Sequence, residues 1–318
     1  MGTARVVFRV WQVYWAHICL FFFVAMSMAA LDTYGDFDKN YVDSLKLGHF
    51  FDDPMPQIVG LFTLTYVPNY FDILPMYLVV LALMPLFMGL SLISLRAVAA
   101  TSIAIWLAAN MGLLAPSAEP WSDRQWFFNP FGWQLLFFTG FAFMRGWLPA
   151  PPVSRALIWL CAGFVILSAP VGSWKVCLWV DSWTRDLGDQ IRTIWAATGD
   201  LREKTPFGLL RYLHFLALAY LAWVVAGQGG HRLLAGGDGP AGKVWHVTLK
   251  VITKVGQQSL AVFVFSMALA RLLGFAMDQM GRTAATVTLA NLTGFALIIA
   301  VAYTAGWFKT HPWKRKRP

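Results

Sequence analysis

A few polar and ionisable side chains sit inside otherwise apolar stretches of this sequence, and their types suit proton transfer and the binding of oxyanions. Asp72 lies in PNYFDILPMY, Asn129 and Gln134 in NPFGWQLLF, and Arg211 and His214 in LRYLHF. Arg271 lies in LARLLG, and Gln12, Tyr14 and His17 in WQVYWAHIC. An arginine fork binds two oxygens of a carboxylate or phosphate at once. A histidine takes up or releases a proton near neutral pH. Tyr14 and His17 are three residues apart, as are Arg211 and His214, so each pair shares one side of a helix. If their elements converge, Asp72, Gln134, Arg211, His214 and Arg271 form an outward-facing polar pocket. The blander expectation is that these groups pair with one another or extend to lipid headgroups. For Arg211, near a helix end, the two readings balance. Asp72 and Arg271 together point to a structural or substrate-facing pair, and His17 alone reads as a hydrogen-bonded packing residue.

The elements that position these residues follow from composition. Of the 318 residues, 58% are hydrophobic and only 13% charged, against about 25% charged in a soluble domain. The 16 Trp fit the same class, because indoles collect at the headgroup level. A hydrocarbon core of about 30 Å needs about 20 apolar residues in helix. Gaps between charged residues place spans at about 7–31, 70–90, 96–115, 127–146, 154–172, 207–227, 255–277 and 284–307. The seventh gap is short, and its apolar pattern resumes through Leu272, Leu273 and Phe275, so Arg271 is placed inside the membrane. The expected fold is all-α: a polytopic transmembrane bundle of about eight spans forming a single membrane domain over 1–318, with external loops at 32–69 and 173–206.

Loop charges orient the bundle. The first long loop carries Asp32, Asp36, Asp38, Asp43, Asp52 and Asp53 against Lys39 and Lys46, and later odd loops mix both signs. The other side holds Arg5, Arg9, Arg96, Arg145, Arg155, Arg232, Lys243, Lys250, Lys254 and the tail KTHPWKRKRP, with Asp238 as its one acid. Lys and Arg mark the cytoplasmic side, so both termini are expected there. The net charge of +9 is thereby spread over loops, and no nucleic-acid partner is implied. The segment LWVDSWTRDLGDQIRTIW alternates charge with large apolar residues and reads as an amphipathic helix on the outer surface.

Other patterns carry little. Cys19 and Cys161 fall in apolar stretches and Cys177 in a loop, without metal-ligand spacing, so no metal and no bound cofactor is expected. Gly237, Gly239 and Gly242 satisfy GxGxxG, but without a preceding strand they read as a flexible linker, GQGGHRLLAGGDGPAG. The Asn291–Thr293 sequon lies within the last span. The N-terminal stretch is too long and aromatic for a signal peptide.

Several segments taken in order resemble the OpgC-like membrane proteins: VYWAHICLF, LTYVPNYFDILPMYLVVLALMP, FNPFGWQLLFFTGF, LRYLHFLALAYLAW and VGQQSLAVFVFSM. PNYFDILPMY and NPFGWQLLF are the more specific, and the resemblance runs over essentially the whole chain. It implies a multi-pass protein of the bacterial inner membrane, within the broad acyltransferase-3 group. The implied activity adds succinyl groups to osmoregulated periplasmic glucans from a cytoplasmic acyl-CoA, succinyl-CoA, as donor substrate. The glucan acceptor, the acyl-CoA and the lipid bilayer are the implied partners. On this reading Asp72, Gln134, Arg211, His214 and Arg271 line the acceptor side, and Tyr14 and His17 border the donor path. Family members have about ten spans, and the chain starts close to their third. The family's acyl-transfer histidine belongs to the two helices ahead of it and maps onto no residue here. His17 matches a later Tyr-x-x-His segment instead. The chain is therefore expected to be N-terminally truncated, through a misplaced start or as a shortened relative. A transporter or flippase with the same outer pocket, and an inactive remnant, are the alternative readings.

Overall fold

The computed structural model of the protein describes residues 2–234, 236–237 and 239–313. Asp238 and the last five residues of the basic tail lie outside them. The described chain is helical: α1 (Gly2–Tyr34), the short α2 (Tyr41–Ser44), α3 (Gly48–Asp52) and α4 (Pro54–Thr63), then α5 (Ile73–Ser91), α6 (Leu95–Asn110), α7 (Pro130–Met144) and α8 (Arg155–Gly172). There follow α9 (Trp174–Asp181), α10 (Arg185–Ala197), α11 (Leu209–Ala226), the single turn α12 (His231–Leu234), α13 (Pro240–Gln257), α14 (Ser259–Met280) and α15 (Ala284–Lys309). Among the described residues extended pairing is limited to one isolated bridge, Ser117 with Gln125.

Among the described residues six helices are long and apolar enough to cross a membrane: α1, α5, α8, α11, α14 and α15. The expected third and fourth spans form shorter apolar helices of 16 and 15 residues, α6 and α7. Their ends are set by local chemistry. The Ser94 side chain accepts from the Arg96 N–H at the start of α6, which ends at Asn110 as the chain turns through Gly112 at φ +75°. Asn129 accepts from the Phe131 N–H, and Pro130 takes the first helical position of α7, where its missing N–H costs nothing. Conversely, α1 runs 33 residues, about 50 Å at 1.5 Å per residue, well beyond the expected 7–31.

Three further differences concern the connections. The segment expected to form one amphipathic surface helix forms two helices instead, α9 and α10, broken at Ser182–Thr184. Cys177 is therefore buried on a helix rather than in a loop. The glycine-rich linker contains the short α12, and Gly227 at φ +77° ends α11 ahead of it. The basic stretch after it, read as loop charge, is an 18-residue helix, α13. Lys243, His246, Lys250 and Lys254 follow a helical repeat on one side of it, with Val244, Val251 and Val255 on an adjoining face.

The chain divides into two compact units, one of residues up to Val10 with Pro56–Leu233, the other of Trp11–Met55 with the residues from Leu234 onward. In the first, α5, α6 and α7 pack around Val80, Phe87, Val98 and Phe138, with the Phe87 and Phe138 rings stacked at 3.8 Å. In the same unit α8 packs on α11, and α9 and α10 lie against each other and against α8. In the second unit α14 packs on α15, and α13 on both. Asp32 at the end of α1 accepts from the Tyr41 and Val42 N–H groups, each at 2.8 Å, which folds the following loop back. Phe37 and Tyr41 then meet the Phe275 ring of α14 edge-on at 5.0 and 5.4 Å, and Lys39 pairs with Asp278 at 2.8 Å.

Helix surfaces that are apolar all round identify the solvent. α8 buries none of its residues yet leaves Trp159, Leu160, Ile166 and Leu167 more than two-thirds exposed. Such a surface is stable only against hydrocarbon.

Candidate functional site

The most constructed polar region of the first unit surrounds the segment that leads into α11. Four successive carbonyls of this segment each accept a hydrogen bond from α6 or from the start of α7. Trp133 Nε1 donates to Lys204 at 3.1 Å and the Asn129 N–H to Thr205 at 3.1 Å. Asn110 Nδ2 donates to Pro206 at 3.1 Å and Trp106 Nε1 to Phe207 at 2.9 Å. Irregular backbone beside a membrane helix needs such partners, because lipid offers none. Phe207 takes a left-handed conformation, φ +59°, and Gly208 then starts α11. The same segment carries Lys204, whose ammonium stands over the Phe127 and Phe128 rings at 4.5 and 5.1 Å.

Arg211 belongs to this construction. It lies in the first turn of α11, exposed, and its Nε donates to the Arg202 carbonyl at 2.9 Å. Asp72 is nearly fully buried, ahead of α5, and its Oδ1 accepts from the Phe127 N–H at 3.1 Å. It thereby ties the start of α5 to the strap that feeds α7. That strap is braced by the Arg124–Glu119 ion pair at 2.7 Å, and Arg124 also donates to the Val67 carbonyl at 2.8 Å. Nearby, burial and the charge of Glu119 push the Tyr66 phenol up to about 12, against the opposing Arg124. The phenol is therefore neutral at physiological pH.

Two other expected residues point elsewhere. Gln134 is fully buried and exchanges two hydrogen bonds of 2.8 Å with Ser102, its Oε1 accepting from the hydroxyl and its Nε2 donating to the carbonyl. This reciprocal pair locks α6 to α7 and leaves the Gln134 amide with a partner for each function. His214 Nδ1 lies 2.9 Å from the Ser168 Oγ of α8, which joins α8 to α11. The structure thus holds Asp72, Gln134, Arg211 and His214 in one unit, each bonded to a residue outside the four.

Tyr14, His17 and Arg271 belong to the second unit. His17 is fully buried on α1, and neither ring nitrogen has a hydrogen-bond partner among the described residues. The expectation of a hydrogen-bonded packing histidine therefore gives way to a packed one with both nitrogens unused. Tyr14, half-buried, stands edge-on to Trp15 at 5.8 Å. Arg271 is half-buried on α14.

Residue type alone does not single out Trp106, Asn110, Ser102 and Trp133. Trp106 and Asn110, one turn apart near the end of an apolar helix, are the available signal, since two donors on one face there need acceptors. Their acceptors are backbone carbonyls about a hundred residues away, which no side-chain pattern marks.

The family model described as OpgC protein matches residues 1–310. No curated protein and no solved structure is similar enough to the chain to match it.

Proposed function

The chain belongs to the OpgC protein family, and on that premise we propose that it takes part in succinyl transfer from an acyl-CoA to a periplasmic glucan as a membrane O-acyltransferase. The family match, which covers nearly the whole chain, is the observation that carries this reading. In the reaction a sugar hydroxyl oxygen attacks the thioester carbonyl and an ester C–O bond forms. The C–S bond breaks, and the sulfur of coenzyme A leaves with the proton lost by the hydroxyl. Such a step needs a base and a group that stabilises the oxyanion; the base is assigned to no residue of this chain.

The proposed setting is a bacterial inner membrane crossed eight times, with both termini cytoplasmic. The excess of Lys and Arg on alternate connections supports it. The two shorter helices, α6 and α7, would cross with their flanking turns, a mismatch that a bilayer absorbs by local thinning. Alkaline phosphatase fused after Ser117 is expected to be active, and green fluorescent protein fused after Pro151 to fluoresce. Fluorescence after Ser117 would overturn the orientation.

On this topology the acceptor side is the end built by α6, α7 and the segment before α11. Of Asp72, Gln134, Arg211, His214 and Arg271, the exposed Arg211 is suited to meet a soluble glucan. The buried Asp72 and Gln134 act by position, holding the helices that present it. Tyr14 and His17 are proposed to border the donor path. The unpartnered nitrogens of His17 favour that over a purely structural role, since a buried polar atom left alone costs about 1–3 kcal/mol.

The test is incorporation of label from radioactive succinyl-CoA into glucans by membranes carrying the protein. Arg211→Ala is expected to lower incorporation about tenfold, the loss of roughly one charge-assisted contact. Arg211→Lys, which keeps the charge without the fork, is expected to recover part of it. Normal charge on glucans extracted from Arg211→Ala cells would remove the assignment. Glucan that crosses the membrane without gaining label would favour the transport reading.

A further inference from the structure

Within the first unit, α7, α8 and α11 line an open cleft of about 850 Å³, to which the proposed succinyl transfer gives no role. Its size falls in the range of ligand sites, about 300–1,000 Å³. Phe143, Leu157, Phe164, Leu216, Ala219 and Trp223 are among its walls. Its hydroxyls are already engaged: those of Thr139 and Tyr212 lie 2.9 Å apart, and that of Tyr220 donates to the Pro152 carbonyl at 2.9 Å. The cleft therefore suits hydrocarbon far better than a dicarboxylic acyl group.

Its mouth has the opposite chemistry. Ala150, Pro151 and Trp223 also line an adjoining hollow of about 370 Å³, completed in part by Gln228, His231 and Arg232. Arg232 is exposed, and its Nη1 donates to the Val224 carbonyl at 3.0 Å near the end of α11. His231 Nδ1 lies 3.0 Å from the Gln228 carbonyl. An apolar slot thus continues into a basic mouth, the complement of an amphiphile with an anionic head.

We propose that this is a binding site for one phospholipid with an anionic headgroup, its acyl chain in the cleft and its phosphate at Arg232. A basic residue between helix ends at a membrane surface attracts such a headgroup. A single arginine beside a histidine matches one phosphate. The nucleotide end of an acyl-CoA, with several phosphates, calls for more cations than this mouth presents. The assignment is independent of succinyl transfer and of which leaflet the mouth faces.

The experiment reconstitutes the protein in phosphatidylcholine vesicles doped with phosphatidylglycerol that carries a photoactivatable diazirine on one acyl chain. Adducts are mapped by mass spectrometry. They are expected on peptides covering Leu157–Phe164 and Tyr212–Trp223. Ala219→Trp, at an exposed lining position, is expected to abolish them by filling the slot. Arg232→Gln lies outside the packed helices, so it tests the site even if the tryptophan variant fails to fold. It is expected to reduce the preference for phosphatidylglycerol over an equally labelled phosphatidylcholine about tenfold. Adducts spread evenly over the helices and unchanged in Arg232→Gln would overturn the site. Displacement by palmitoyl-CoA, but not by unlabelled phosphatidylglycerol, would overturn the lipid and make the slot a donor site.

Discussion

Gly132→Val is expected to prevent accumulation of folded protein, the largest stability loss foreseen for a single methyl-bearing replacement in this chain. Gly132 lies in the first turn of α7, where the Pro206 backbone crosses it. A Cβ added there would overlap the Pro206 carbonyl carbon and oxygen and approach its Cα to 3.0 Å. Three neighbouring carbonyls are tied to Trp133, Asn129 and Trp106, and that of Pro206 itself to Asn110. The crossing backbone therefore cannot retreat without breaking hydrogen bonds. Overpacking a core that can adjust costs about 1–3 kcal/mol; against a pinned backbone the cost is expected at or above the top of that range. The measurement is the yield and thermal midpoint of detergent-solubilised protein, with Gly140→Ala as the control. Gly140 has open space around it, so alanine there is expected to be neutral or to stabilise by roughly 0.5–1 kcal/mol. Equal midpoints for Gly132→Val and the parent would show that the segment before α11 is not held as described.

Asp72→Ala is expected to reduce glucan succinylation to roughly a tenth or less, while Asp72→Asn retains most of it. The physical basis is the Oδ1 acceptor that holds the Phe127 N–H. Alanine removes the acceptor and leaves a donor unpaired, whereas asparagine keeps a side-chain oxygen in place. Phe127 and Phe128 carry Lys204 on their rings, and the Asn129 N–H holds the Thr205 carbonyl in the row of hydrogen bonds to the segment before α11. Release of the Phe127 strap is therefore transmitted to Arg211 through the same construction. The readout is charge on extracted glucans, measured beside the thermal midpoint. If asparagine proves as inactive as alanine at an unchanged midpoint, the Asp72 charge meets substrate directly and its role as a backbone tie fails.

The long helices were legible in the sequence because a membrane span satisfies its backbone hydrogen bonds within itself. An uninterrupted apolar run is then sufficient information, as for α5, α8 and α15. Where a boundary depends on a cap, the run overstates the helix. α6 stops at Asn110, although apolar residues continue to Ala115. The basic residues of α13 illustrate the reverse. Counted as loop charges, they concealed the helical repeat that Lys243, His246, Lys250 and Lys254 share. The candidate site was legible only in its membership. Asp72, Gln134, Arg211 and His214 stood out because ionisable and amide groups are costly in lipid, yet their partners are Phe127, Ser102, Arg202 and Ser168.

By itself, then, the sequence determined an all-helical membrane chain of the OpgC family and the polar residues that such a chain must accommodate. Hydropathy and local motifs are sufficient for both. The tertiary structure alone decided what those residues do with their hydrogen bonds. It made Gln134 a lock between helices and Asp72 a tie on a backbone strap. It also put Arg211 at the end of a segment held through four carbonyls. A carbonyl has the same chemistry under every side chain, so folding in space is what reveals which one a buried donor will reach.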